Sequence, residues 1–274
     1  MKKTNHLLAC LFSFFIAFFM FLGLFVTITK LTLMNENYLF KTLEKVDYYQ
    51  AIANELNEDF MQSAGAAGFE PDIYKNFVSS KEVKKMSQDY IQNFYTHKQA
   101  SIHTDAFEKR LYEYLHDYAK KQNLQLTQQD EERLNQYIQI NVKGYQQYLS
   151  FPFMQYLIMA FDMLDQVIPF ILIACLIIVL FAIVFLYLLK LKGKWKAVYI
   201  SSICFGSAFM ITGIPLFILL GQYIEHIHLS PEAYYLFIVQ YLKGYLNSLL
   251  LCGGLLFIIG ILVVLFQKKG RITN

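Results

Sequence analysis

Four apolar stretches, at residues 7–29, 167–189, 197–221 and 244–266, constrain this sequence more than any other feature. Each is long enough to cross the hydrocarbon core of a bilayer, which takes about 20 residues at a helical rise of about 1.5 Å each. A composition of 56% hydrophobic and 16% charged residues is too apolar for a soluble chain of 274 residues. The sequence therefore predicts an all-α polytopic membrane protein with four transmembrane helices.

The charged residues divide unevenly between the five segments that these stretches separate. Segments 1–6, 190–196 and 267–274 contain nine Lys and Arg residues and no acidic residue. Segments 30–166 and 222–243 contain all 21 acidic residues and the other 15 of the 24 basic residues, a net charge of −6. Because Lys and Arg accumulate on the cytoplasmic side of a membrane, both termini are predicted to be cytoplasmic.

This pattern predicts three parts. Residues 1–29 form an N-terminal transmembrane anchor, because the apolar run is longer than that of a cleaved signal peptide and no small-residue cleavage site follows it. Residues 30–166 form an extracytoplasmic helical domain, which is long enough to fold independently. Residues 167–274 form a three-helix transmembrane region with a short outer loop at 222–243. Small residues such as Ser202 and Gly206 in the third span favour close helix packing.

The segment between the first two spans shows helical periodicity throughout. Apolar residues at intervals of three and four predict a first helix from near Asn37 to the glycine-containing segment 65–68. We expect a fourth helix to continue directly into the second span, with Pro152 and Pro169 as points of flexibility. Capping residues predict the starts of the second, third and fourth helices at Ser79 (with Glu82), Thr104 and Thr127 (with Asp130), respectively.

All the cysteines lie within the apolar stretches, at Cys10, Cys175, Cys204 and Cys252. The predicted outer domain therefore has no thiol from which a disulfide could form. This is the usual state of a bacterial exported domain, whereas eukaryotic secreted domains of this size often contain disulfides. We therefore predict a location in the bacterial plasma membrane.

Five polar residues at the predicted outer membrane boundary form the candidate site. Asp162 and Asp165 lie three residues apart on one helical face, and Glu225, His226 and His228 are expected at a similar depth. Brought together, they would bind a divalent metal, or His226 or His228 would act as a general base at the lipid headgroups. The alternative is that these are ordinary interfacial polar residues. No cofactor is predicted.

Two classes of function remain open. The first is a non-enzymatic membrane protein whose outer helical domain binds an envelope or membrane protein in an accessory or sensory role. The second is an outer-leaflet membrane enzyme that acts on lipid or lipoprotein through the five candidate residues. No phosphate-binding loop, HExxH or GxSxG motif occurs, so the non-enzymatic class is favoured. Membrane lipids are expected partners. Nucleic acid is not an expected partner, because the outer segments carry a net negative charge that would repel its phosphates.

The order of one span, an outer segment and three further spans resembles two groups of membrane proteins. It is similar to that of permeases of the cell-division and macrolide-export type, and to that of the bacterial lipoprotein transacylases. The likeness lies in topology and implies no site residues in this chain.

Overall fold

The computed structural model describes residues 3–97, 102–151, 154–189, 193–227 and 229–272, and no β-strand occurs among them. The predicted all-α fold class is confirmed. Within these ranges the chain forms nine α-helices and one short 3-10 helix. The α-helices are α1 (Lys3–Leu31), α2 (Glu36–Lys45), α3 (Tyr48–Ala66), α4 (Ser80–His97), α5 (Asp105–Lys121), α6 (Gln128–Leu149), α7 (Met154–Leu188), α8 (Gly193–Leu220) and α9 (Glu232–Ile272), and the 3-10 helix is Pro71–Tyr74.

Four of these helices are long and apolar enough to cross a membrane. The qualifying segments are Asn5–Leu31 in α1, Met159–Leu188 in α7, Trp195–Leu220 in α8 and Glu232–Phe266 in α9. The number of candidate spans agrees with the prediction, and four such helices are those of a multi-pass membrane protein by length and composition. The second and fourth helical segments begin several residues before the predicted stretches, because polar residues at a helix end lower the local hydropathy without ending the helix.

The chain divides into two compact units. The first, which we call the span unit, comprises residues 1–39, 161–228 and 238–274. The second, which we call the inter-span unit, comprises residues 40–160 and 229–237.

Within the span unit, α1 and α8 pack closely through small residues. The Ser207 hydroxyl of α8 donates a hydrogen bond of 2.9 Å to the backbone carbonyl of Ala17 in α1. A methyl group at Gly206 would lie 3.3 Å from the Ala17 Cβ. Because lipid tails are as apolar as the side chains, such close packing and interhelical hydrogen bonding hold membrane helices together. Of the two small residues named from the sequence, Gly206 packs against α1, whereas Ser202 is exposed and bonds to the Val198 carbonyl of its own helix.

A glycine of α9 allows a similar approach to α8. A Cβ atom added to Gly253 would meet Thr212 and would lie 2.7 Å from the Ile211 Cγ2 atom. The adjacent Gly254 has nothing within 4 Å of the same position. Of these two adjacent glycines, Gly253 is therefore the one that this helix contact requires.

The first predicted inter-span helix is two helices, so the prediction of a single helix from Asn37 was wrong. The chain breaks between α2 and α3 at Asp47, whose φ of 50° and ψ of 33° are left-handed. Aspartate tolerates this conformation better than most residues. Apolar spacing continues across the break, so periodicity could not reveal it. The predicted end of α3 is confirmed, because Gly68 has a φ of 83° and the Phe69 N–H bonds to the Ala64 carbonyl at 2.9 Å.

The capping signals locate the starts of α4, α5 and α6 within one residue. At α6, the Thr127 hydroxyl accepts a hydrogen bond from the Asp130 N–H, and the Asp130 carboxylate accepts one from the Thr127 N–H. At α4, the Ser79 hydroxyl accepts a hydrogen bond of 3.2 Å from the Glu82 N–H. Thr104 precedes α5 without a side-chain cap. At α4 and α6 the local sequence thus specifies the start, because each of these two caps satisfies an otherwise unpaired helical N–H.

The helix α6 does not continue into the second span. It ends at Leu149, and Ser150 has extended backbone angles of φ −85° and ψ 134°. Pro152 lies outside the described residues, and Pro169 lies inside α7. The expected continuous helix was wrong, because the chain leaves the helical conformation before the proline.

One buried asparagine attaches the segment before α4 to α3. The Asn57 side chain donates a hydrogen bond of 2.8 Å to the Val78 carbonyl and accepts one of 2.8 Å from the Val78 N–H. It also donates one of 2.7 Å to the Ala53 carbonyl. A single side chain therefore satisfies both backbone polar groups of a buried residue.

The short segment 229–237 belongs to the inter-span unit although it is distant in sequence. The Tyr234 hydroxyl donates a hydrogen bond of 2.9 Å to the Tyr148 carbonyl, and the Ala233 N–H donates one of 3.3 Å to the Glu55 carboxylate. Burial raises the pKa of Glu55, and this backbone hydrogen bond offsets only part of the shift.

Candidate functional site

Four of the five residues predicted at the membrane boundary lie in the described part of the structure. Asp162 and Asp165 lie on α7, and Glu225 and His226 lie in the turn after α8; all four belong to the span unit. His228 lies outside the described residues.

Two of these carboxylates form ion pairs with lysines. The Asp165 carboxylate lies 3.8 Å from the Lys30 ammonium, and the Glu225 carboxylate is hydrogen-bonded to the Lys243 ammonium. The His226 Nδ1 atom lies 2.9 Å from the Gln222 carbonyl. These contacts are typical of interfacial polar residues at helix ends.

The chemistry of a metal site or a general base needs several such groups close together. Across the described ranges, no group of three or more His, Cys, Asp and Glu side chains is placed to hold a metal ion. The catalytic role assigned to these residues stays a prediction.

A cleft in the inter-span unit has more of the features of a binding site. It lies between α4 and α5, with α6 contributing to its floor, and has a volume of about 410 Å³. This is within the range of ligand pockets, which are concave and mostly apolar with a few polar groups. Its lining includes Glu82, Lys85, Met86, Asp89, Tyr90, Asn93, Ile102, His103, Ala106, Phe107, Arg110 and Tyr145.

A charged network spans the cleft. The Arg110 guanidinium donates two hydrogen bonds of 2.8 Å to the two carboxylate oxygens of Glu82. The Tyr145 hydroxyl donates a third, of 3.0 Å, to the same carboxylate. Two parallel bonds from one guanidinium fix both side chains in orientation as well as in position. The network therefore forms a rigid polar wall.

Aromatic rings pack against the side chains of this polar wall. The rings of Phe107 and Tyr145 are stacked, with centroids 3.8 Å apart and planes 5° from parallel. The Arg110 guanidinium carbon lies 4.8 Å from the Phe77 ring centroid and 5.5 Å from that of Phe107. Such cation–π contacts add to the attraction that holds the arginine in place.

Burial raises the pKa of Tyr145, and the Glu82 charge raises it further, against a smaller lowering effect of Arg110. The phenol therefore keeps its proton at physiological pH and acts as a donor to the carboxylate. A deprotonated Tyr145 would instead place two negative oxygens in contact.

Sequence reasoning missed most of this cleft. Glu82 was recognised only as a capping residue, and no role was assigned to His97 or His103. His103 lines the cleft, whereas the His97 side chain lies outside the described part of the structure. The one available signal is the helical spacing of Glu82, Asp89 and Asn93, which puts three polar residues on the same face of α4 as Met86.

A second cavity, of about 500 Å³, lies beside α5 and α6 and is lined in part by Leu115, Leu124 and Leu134. Its acidic residue, Asp130, is already used in capping α6. It therefore offers fewer available polar groups than the first cleft.

Comparison of the chain with protein-family models, with curated proteins and with solved structures finds no match.

Proposed function

We propose that this chain is a non-enzymatic membrane protein whose inter-span unit lies outside the cytoplasm and binds an envelope or membrane protein partner through the α4–α5 cleft. The observation that carries the proposal is this cleft, which combines an aromatic floor with a fixed polar wall. Its role would be accessory or sensory.

The charge distribution supports the location. Every acidic residue falls in the two segments assigned to the outside, and the three other segments contain only basic charges. Lys and Arg near the ends of spans favour the cytoplasmic side. With four spans, both termini are then cytoplasmic. The absence of cysteine from the outer segments favours a bacterial plasma membrane.

The chemistry of the cleft indicates what it binds. Glu82 and Arg110 neutralise each other, and Lys85 and Asp89 add one charge of each sign, so the cleft carries no net charge when His103 is neutral. A cleft with an aromatic floor and no net charge suits an apolar or aromatic side chain of a partner protein. The backbone of the partner next to that side chain would form hydrogen bonds with the polar groups of the cleft.

The enzymatic alternative has less support. An outer-leaflet hydrolase or transferase using His226 and His228 with Asp162 and Asp165 needs a carboxylate that is free to orient a histidine. The Asp165 carboxylate is paired with Lys30, and that of Glu225 is paired with Lys243. Both pairs favour a structural role at the boundary.

Site-specific photocrosslinking in intact cells tests the partner. A photoreactive amino acid at Asn93, which lines the cleft, should crosslink one protein reproducibly. The same amino acid at the exposed Glu132 on α6, outside the cleft, is the matched control. Crosslinks that are absent at Asn93, or equal at the two positions, would contradict the proposal.

Cysteine labelling tests the location independently. In a variant lacking all native cysteines, Gln129→Cys should react with a membrane-impermeant maleimide in intact cells. Lys194→Cys should react only after the membrane is permeabilised. The reverse pattern would place the inter-span unit in the cytoplasm and refute this part of the proposal.

A further inference from the structure

An apolar groove lies on the span unit between α1, α7 and α8. Its volume is about 460 Å³, and its lining includes Met20 of α1, Ile183 of α7 and Ile203 of α8. Almost all of the lining is hydrocarbon. The helices that line it are long and apolar enough to cross a membrane, so the groove lies at the depth of the hydrocarbon.

One end of the groove is different. Lys196, Tyr187 and Tyr199 line that end, and the Lys196 ammonium lies 5.6 Å from the Tyr187 ring centroid. The Tyr199 hydroxyl is hydrogen-bonded to His6 Nδ1 at 2.9 Å, and Trp195 lies beside both rings. Tyrosine and tryptophan concentrate at the level of the lipid headgroups. This end therefore lies at the membrane surface.

The charge at this end is positive. Segment 190–196 contains four lysines and no acidic residue, and segment 1–6 contains two lysines and no acidic residue. Among the described lining residues, Lys196 is the one that carries a positive charge. The groove thus combines a hydrocarbon channel with a cation at its headgroup end.

We propose that this groove binds an anionic phospholipid, with an acyl chain in the channel and the headgroup phosphate at Lys196. Basic pockets between transmembrane helices recognise lipid headgroups through the same combination of charge and apolar lining. A second copy of this chain is a poorer occupant. Inserted with the same topology, it would bring its own lysine-rich segment to the same depth, where like charges repel.

Trp195 is the only tryptophan of the chain and adjoins Lys196, so its fluorescence reports on lipid at this position. The purified protein is reconstituted in nanodiscs of unlabelled phosphatidylcholine. These contain a small fraction of one brominated lipid, which is either phosphatidylglycerol or phosphatidylcholine with bromine on its acyl chains. Bromine quenches tryptophan at short range. We expect brominated phosphatidylglycerol to quench Trp195 with an apparent preference of about fivefold, the effect of one lysine at a membrane surface.

Three variants separate the groove from general lipid contact. Lys196→Gln should lower the preference for phosphatidylglycerol to near one. Val179 of α7 also lines the groove, so Val179→Phe should fill the channel and reduce quenching by both lipids. Lys30→Gln is the matched control, because Lys30 is a half-exposed lysine of α1 outside the groove lining, and it should leave the preference unchanged.

Equal quenching by the two lipids in the natural sequence would overturn the proposal. So would a preference that survives Lys196→Gln, or quenching that is insensitive to Val179→Phe. A loss of preference in Lys30→Gln as large as in Lys196→Gln would show that only overall charge matters, which also overturns it.

Discussion

The salt bridge in the α4–α5 cleft should contribute measurably to the stability of the inter-span unit. The perturbation is a double-mutant cycle of Glu82→Gln, Arg110→Met and the double variant. Methionine keeps much of the apolar stem that packs against Phe77 and Phe107 and removes the charge. The cycle then isolates the interaction between the two side chains, because effects of each substitution alone cancel.

The expected magnitude follows from geometry and exposure. Two charge-assisted bonds of 2.8 Å join the side chains, whose exposed fractions are 21% for Glu82 and 43% for Arg110. A hydrogen bond to a charged group contributes about 1.5–3 kcal/mol, and an exposed ion pair contributes about 0.2–1 kcal/mol. Solvent screening at the half-exposed guanidinium puts the coupling between these ranges. We expect about 1.5 kcal/mol, or about a tenfold change in an equilibrium constant.

Hydrogen exchange followed by mass spectrometry is the appropriate assay, because it measures opening of each segment within the full-length protein in detergent. Amides of α4 and α5 should exchange faster in each single variant, whereas amides of the transmembrane spans should not change. A control cycle uses Lys109 and Glu113 on α5, which lie 3.9 Å apart with exposed fractions of 78% and 63%. We expect its coupling to be below about 0.5 kcal/mol.

Two results would refute this reasoning. Additive effects of Glu82→Gln and Arg110→Met, within about 0.3 kcal/mol, would mean that the bidentate pair contributes nothing beyond its separate residues. A coupling as large for the Lys109 and Glu113 cycle would mean that burial and geometry do not distinguish the two pairs.

Three further predictions concern other parts of the chain. Glu55→Gln should stabilise the inter-span unit at pH 7, because burial raises the pKa of this carboxyl above 4.5 in the folded state. The stability that protonated Glu55 contributes is fully present below pH 4.5 and is lost as the pH rises through the folded pKa. Protection of the amides from exchange should therefore fall over that pH interval in the natural sequence but not in the variant. Asn57→Ala should cost about 2–3 kcal/mol by leaving the Val78 N–H and carbonyl unpaired, measured as faster exchange at that segment. Gly253→Ala should lower the thermal midpoint in detergent, at a cost of about 1–3 kcal/mol from overpacking, whereas Gly254→Ala should leave it unchanged.

The spans and most helix starts could be predicted because their causes are local. Hydropathy over about 20 residues is enough to locate a membrane helix. A capping box such as that of Thr127 and Asp130 is complete within four residues. The break at Asp47 is also local, but the left-handed conformation of one aspartate leaves the apolar spacing unchanged.

The candidate sites depended on contacts that no local pattern contains. Glu82 pairs with Arg110 across 28 positions, and Lys30 pairs with Asp165 across 135. Segment 229–237 packs with residues such as Tyr148, more than 80 positions earlier. Side chains of these kinds are common on solvated helix faces, so only the fold distinguishes a cleft wall from an ordinary surface charge.

The attachment of Val78 to Asn57 has a practical consequence for anyone who wishes to tag this protein. Because the backbone at Val78 is held on both its donor and its acceptor, an epitope inserted there would separate α3 from the start of α4. The turn at 122–125, between α5 and α6, is exposed along its whole length. Exposed turns tolerate insertion well. An affinity tag placed in that turn should therefore be tolerated better than one placed at Val78.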